Sequence, residues 1–435
     1  MFAYYLHMAV RSLRRNKALT GLMVLAIAMG IGASMTTLTV LHVLSGDPLP
    51  GRSGSLYYPQ IDPRDMNNYG PNLEPPDQLS WIDGMNLLKA KRAAKQALMT
   101  EGMVPVQPAQ SGIDPFHAVS LYTTADFFSM FGVPFQYGGG WSATEDDGQA
   151  RVAVISGKMN DKLFGGHNSV GKTLRLQETA FRIIGVLGDW HPDPHFYQLY
   201  MGSYRDSEDI FVPLSTSRDL HMEHDGNTDC WGNSGGGDQN NLEHTTCIWL
   251  QFWVQLDTPA DAAAYKTFLL HYSQEQQSAG RFLRPPNVRL RNVMQWLDYQ
   301  QVVPKDTRLQ TWLALGFLVV CLVNTVGLML AKFMRRTGEL GVRRALGASQ
   351  RALFGQLLME SSVIGLAGGV GGLLLAWLGL WLVRQQPTDY ARLAHMDALM
   401  LVATFALAVC ASLLAGLLPA WRACQITPAL QLKAN

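Results

Sequence analysis

The chain has 435 residues, of which 48% are hydrophobic and only 16% charged, and its net charge is +1. Soluble domains carry about 25% charged residues, so an ordinary soluble protein is excluded, and the deficit lies in long apolar runs. The balanced charge, with no basic stripe among aromatics, argues against a nucleic-acid partner.

Residues 1–17 predict a short cytoplasmic amphipathic helix. Phe2, Tyr5, Leu6, Ala9 and Leu13 recur at helical spacing opposite the basic residues, the pattern of a helix lying on a membrane surface. Residues 18–44, ALTGLMVLAIAMGIGASMTTLTVLHVL, contain no Asp, Glu, Lys or Arg. A spanning helix needs only ~20 such residues. The run is too long for a signal-peptide core and no small-residue cleavage site follows, so it reads as an uncleaved anchor.

Residues 45–305 carry ordinary charge and read as a mixed α/β domain. ADFFSMFGV and GKMNDKLFGG have short helical apolar faces, whereas ARVAVIS, KTLRLQ and AFRIIGVLG read as strands. Within this block Gly166, Gly171, Lys172 and Thr173 match the phosphate-loop pattern of ATPases letter for letter. A true phosphate loop leaves a strand and opens a helix. Here a helix-like stretch precedes and a strand-like stretch follows, so the glycines predict a turn and Lys172 a solvated charge.

Three further spans are expected at 309–331, 352–383 and 398–421. Segment 332–351 between the first two is strongly basic, loop 384–397 is short, and a tail covers 422–435. Arg11, Arg14, Arg15 and Lys17 precede the first span, and Lys332, Arg335, Arg336, Arg343, Arg344 and Arg351 lie between the second and third. Loop 384–397 balances Arg384 and Arg392 with Asp389 and Asp397. By the positive-inside rule both termini and segment 332–351 face the cytoplasm, and 45–305 faces outward. The fold class is therefore an α-helical membrane protein with four transmembrane helices and a large α/β domain inserted between helices 1 and 2.

Cys230 and Cys247 are the only cysteines in the outward block, where disulfides persist. Pairing them closes a loop of about 16–17 residues, worth on the order of 3 kcal/mol. Cys321, Cys410 and Cys424 read as small apolar residues of the spans. His191, His195, His221, His224 and His244 share one region with Asp193, Asp225 and Asp229, but no spacing matches a standard zinc site. They read as surface histidines of a polar loop. No metal site and no catalytic nucleophile or acid/base pair is expected.

Segment 335–376 reads RRTGELGVRRALGASQRALFGQLLMESSVIGLAGGVGGLLLA. Arg336, Thr337, Glu339, Leu340, Gly341, Val342, Arg343, then Ala345, Leu346, Gly347, Ala348 and Ser349, resemble the signature of FtsX-like permease domains, the membrane subunits of MacB-type (type VII) ABC systems. Asn324, the tail LPAWRACQITPALQLK and residues 119–189 extend the likeness, the last to a MacB-like periplasmic core domain. It is weak over 46–103 and 221–247.

The resemblance implies a coupling helix at 332–351 that docks on an ATPase. Arg336, Glu339, Arg343 and Arg344 would pair with charges there, while Leu340 and Leu346, with Gly341 and Gly347 in the pattern, would fill a groove. Topology-setting charge accounts for the arginines but not for the Gly-Ala-Ser pattern, which favours docking. Gly365, Gly368, Gly369 and Gly372 allow close helix approach, at a dimer interface, in a span that shifts, or within the chain. Glu360 invites a proton-relay reading, although near the cytoplasmic end it can reach water or an arginine.

Further implications concern the assembly. The ATPase, with its ATP and Mg, is expected on a separate subunit, this chain binding no cofactor. Two permease copies, identical or not, are expected per complex in the inner membrane, with a periplasmic adaptor and a TolC-like outer-membrane channel. The implied function is mechanotransmission, driving efflux or secretion of a peptide or small molecule. An FtsX-like regulator of a cell-wall hydrolase and a lipoprotein-releasing permease are the alternatives.

Overall fold

A computed structural model describes residues 11, 16–108, 112–232, 239–388, 390–396 and 398–425. The amphipathic helix expected over 1–17 lies almost wholly outside these residues. So do Asp389, Asp397 and the chain after Gln425. The protein divides into a unit spanning Gly46–Val302 and a second unit combining the residues up to Ser45 with those from Val303 onward.

Among the described residues of the first unit, twelve strands form one sheet. They are β1 (Leu56–Ile61), β2 (Leu79–Ser80), β3 (Lys95–Gln107), β4 (Phe116–Thr123), β5 (Phe135–Gly138) and β6 (Val152–Ile155), then β7 (Thr173–Leu176), β8 (Thr179–Leu187), β9 (Ile210–Pro213), β10 (His224–Asp225), β11 (Ile248–Gln255) and β12 (Val288–Asn292). The main path runs β12-β1-β11-β3-β4-β9-β6-β8-β5, with β2, β7 and β10 attached at its sides. Long β3 is the hub: Met99 faces Gln251 of antiparallel β11 on one side and Thr123 of antiparallel β4 on the other.

Pattern explains placement. Strand β11 reads Ile-Trp-Leu-Gln-Phe-Trp-Val-Gln and is buried over all but its last residue, as a strand covered on both faces must be. Strand β7 alternates exposed and buried, which marks one wet face. Parallel β6 and β8 need a crossover, and the helix Gly157–Phe164 followed by β7 supplies it. Leu98, Val104, Ile155, Phe181, Ile183, Ile210, Trp249 and Phe252 belong to one buried core. In the stretch before Met103, where the resemblance is weak, lie β1, β2 and a helix, Trp81–Ala90, whose N-cap Ser80 accepts from the Asp83 N–H.

The phosphate-loop lookalike is a helix-to-strand turn. Helix Gly157–Phe164 ends on Gly165 in the left-handed region (φ 64°), and Gly171 (φ 87°) leads into β7. The Gly171 N–H donates to the Ile183 carbonyl at 2.8 Å, so it is committed to the sheet. Buried Asn160 fills the turn, donating to the His167 carbonyl and accepting from Ser169 Oγ at 2.6 Å. Exposed Lys172 lies over the Phe164 ring.

The second unit holds α1 (Lys17–Leu44), α2 (Lys305–Met334), α3 (Thr337–Ala345), α4 (Gln350–Arg384) and α5 (Ala398–Gln425). All but α3 are long and apolar enough to cross a membrane. Met23, Ile27, Ile31 and Met35 of α1, four residues apart, pack with Leu318, Met329, Ile364, Ala376 and Ala408. Trp312, Val320, Trp377 and Phe405 point outward and are exposed, as lipid-facing side chains are. Four long apolar helices, one before and three after a large α/β domain, are the architecture expected above.

Candidate functional site

The basic connection between α2 and α4 folds for local reasons. Helix α3 ends in a Schellman arrangement: the Ala348 N–H donates to Arg343 O at 3.0 Å and the Gly347 N–H to Arg344 O at 3.1 Å. That motif needs a left-handed residue, and Gly347 supplies it at φ 99°. Ser349 then caps α4 by accepting from the Ala352 N–H. The Gly-Ala-Ser pattern is thus accounted for by a turn and a cap. The pattern therefore has a local account beside docking.

The charged side chains of the connection turn inward. Lys332, at the end of α2, and Glu360, on α4, are each only 1% exposed, and Lys332 Nζ lies 2.5 Å from Glu360 Oε1. Arg336 Nη1 lies 3.3 Å from the other Glu360 oxygen, and Arg336 Nη2 lies 3.3 Å from Glu339 Oε2. Arg343 reaches Glu339 Oε1 at 2.9 Å and donates to Gln356 Oε1 at 3.1 Å. Arg336, Glu339 and Arg343 therefore pair with one another and with α4.

The apolar residues separate likewise. Half-buried Leu340 packs against the cluster of Phe333, Leu353, Leu357, Ala420 and Ala423. Leu346 is 83% and Val342 55% exposed, and these two form the apolar part of the outer surface. Gly341 lies within α3, and Arg344 is half-buried in its last turn. Sequence singles out Lys332 only as a topology-setting charge, and does not single out Gln356. The available signal was Glu360 itself, since a carboxylate inside a span requires a partner.

The glycines of α4 meet other helices of the same chain along two rows. A Cβ at Gly368 or Gly372 would strike Ile27 or Ile31 of α1, and one at Gly365 or Gly369 would strike Ser412 or Ala408 of α5. Ser361 faces Gly416 in the same way, so small residues four apart oppose each other along α4 and α5. Of the three readings left open for these glycines, intrachain packing is the one the contacts support. Asn324 is exposed on α2 rather than packed between helices.

In the α/β unit Cys230 and Cys247 are disulfide-bonded. The surface reading of the histidines fails for two of them. His195 is fully buried, with Nε2 3.1 Å from Glu208 Oε1, and burial lowers its pKa. His224 is buried between Thr100 and Thr228 and against Trp249. His191, His221 and His244 are exposed. Glu208 also accepts from the Tyr197 hydroxyl at 2.7 Å and pairs with Arg205, which holds Glu101 through its other nitrogen. No cluster of three or more potential metal ligands occurs among the described residues.

The family described as the MacB-like periplasmic core domain matches residues 20–267, and the FtsX-like permease C-terminal domain matches residues 312–428. The chain is 23% identical over 388 residues to the pyoverdine export ATP-binding/permease protein PvdT of Pseudomonas aeruginosa, covering 85% of this chain and 50% of that protein. It is 23% identical over 309 residues to the macrolide export ATP-binding/permease protein MacB of Vibrio parahaemolyticus, covering 70% of this chain and 41% of that one. The chain thus spans about half, or less, of the length of these relatives. Among solved structures, the periplasmic region of MacB from Actinobacillus actinomycetemcomitans aligns with a TM-score of 0.37 at 14% identity, over 59% of this chain and 96% of that one.

Proposed function

Since this chain belongs to the MacB-like periplasmic core domain family and carries an FtsX-like permease domain, we propose that it transmits ATP-driven motion across the membrane to the α/β domain. It is a multi-pass membrane protein with a periplasmic domain, and its domains are those of a MacB-like ABC exporter permease. On this reading ATP and Mg are bound by a separate ABC ATPase subunit, and both termini and α3 face the cytoplasm. Two permease copies work together, and the periplasmic domain engages an adaptor and a TolC-like channel. Relatives named for export of pyoverdine and of macrolides support a peptide or small-molecule cargo.

The observation that carries the reading is the outer surface of α3. Arg336 and Arg343 reach Glu360 and Gln356 of α4, while Val342 and Leu346 stand exposed beside a tight turn. Isolated exposed apolar side chains are common, but an apolar pair on a charged connection between spans suits insertion into a partner's groove. The test is purification of the intact chain from its native membrane in mild detergent, followed by assay of nucleotide hydrolysis. A co-purifying ATPase is expected, and Leu346→Asp should lower the recovered activity about tenfold, the effect of losing ~1.4 kcal/mol at an interface. Leu346→Cys should react with an impermeant thiol reagent only from the cytoplasmic side. Absence of ATPase activity, or labelling from outside, would overturn the reading.

A further inference from the structure

Five charges of alternating sign run from α2 by way of α4 into α3: Lys332, Glu360, Arg336, Glu339 and Arg343. The chain of contacts meets α4 twice, at Glu360 and at Gln356 one turn earlier. The innermost pair, Lys332 and Glu360, is almost completely buried. Topology requires only that cationic residues lie near the ends of spans. It does not require a carboxylate to be buried among them, which is costly unless the ion is paired.

An apolar contact at this place would hold the helices together without direction, because apolar attraction depends on area and not on angle. Paired charge-assisted hydrogen bonds select one geometry. Glu360 forms an ion pair with Lys332 through one oxygen and accepts a hydrogen bond from Arg336 on the other, so it fixes the end of α2 and the start of α3 against α4 together.

We propose that Glu360 is a positioning residue, the joint that holds α3 at a set angle to α2 and α4. This rests on the proposed role of α3 as the element that receives motion from an ATPase. A push on α3 then moves α4 as one body rather than being absorbed in the connection.

The experiment is hydrogen exchange of the full chain in lipid nanodiscs, read by mass spectrometry over 337–345 and over the middle of α4. It requires no ATPase, so it can fail while the functional reading stands, and the reverse. Glu360→Gln is expected to raise exchange over 337–345 about tenfold or more, leaving the middle of α4 unchanged. Glu360→Asp, which keeps the charge, should retain most of the protection. Arg336→Gln keeps the Lys332–Glu360 pair and so guards against a failure of Glu360→Gln to insert. It too should raise exchange over 337–345. Unchanged exchange over 337–345 in the glutamine variants would overturn the proposal. So would equal behaviour of Glu360→Asp and Glu360→Gln, or loss of protection throughout all four spans, which would mark a pair needed only for insertion.

Discussion

Gly365→Val is expected to unfasten α4 from α5 and to destabilise the membrane unit by more than ~3 kcal/mol, beyond the usual cost of overpacking. Two effects oppose each other here. Replacing a mid-helix glycine gains up to ~1 kcal/mol of helix propensity when the new residue is alanine, and less for β-branched valine. Against this, a Cβ at position 365 would lie 1.7 Å from Ser412 Cβ and 2.8 Å from its Cα. Those atoms belong to or adjoin the backbone and cannot swing aside, so the helices must separate. In lipid there is no hydrophobic drive to restore the contact, because packing itself is the driving force. The measurement is unfolding of the full chain in mixed micelles by SDS titration. Gly355→Ala is the control, since a Cβ there meets nothing within 4 Å, and it should be neutral or slightly stabilising. Equal stability of the two variants would refute the close-packed crossing.

Arg205→Met should destabilise the α/β unit by ~3–5 kcal/mol, the cost of removing one partner from a buried ion pair. Arg205 serves two carboxylates, Glu101 at 2.6 Å and Glu208 at 2.8 Å, and both are almost completely buried. Burial, with Glu208 nearby, pushes Glu101 up to about 8 despite Arg205. Burial also acts to raise Glu208, but His195, Arg205 and Tyr197 outweigh it and hold that carboxylate well below its ordinary range.

The signs of the pH dependence follow. Glu101 keeps in the folded state a proton that the unfolded chain releases above its ordinary pKa, so its contribution to stability declines as pH rises toward 8. Glu208 contributes stability that is present above the ordinary carboxylate pKa and is lost as pH falls below it. Arg205→Met should therefore be costlier at pH 8 than near about pH 5.5, where Glu101 can stay protonated. Adding Glu101→Gln to Arg205→Met should recover part of the loss, a non-additivity expected of groups in contact. Melting temperatures of the full chain in detergent at the two pH values check both points. Identical losses at both would refute the pH argument.

Hydropathy alone dictated the four spans, because crossing a bilayer demands a long uncharged run and any window of residues displays one. The turn between Gly165 and Thr173 was legible for a related reason: the residues on either side carry opposite periodicities, helical before and alternating after. Letter order also carried the family pattern around α3. What it left undetermined was the partner of each buried polar group. His195 reads as polar loop until Glu208 and Tyr197 close over it. Arg336 and Leu340 read as outward-facing until α4 and α5 arrive beside them. The glycines of α4 announce close approach without saying to what, and α1 and α5 supply the answer. Span, turn and cap arise from neighbours along the chain. The pairs Lys332–Glu360 and Arg205–Glu101 and the helix crossings join segments tens to hundreds of residues apart, and only the folded arrangement brings those together.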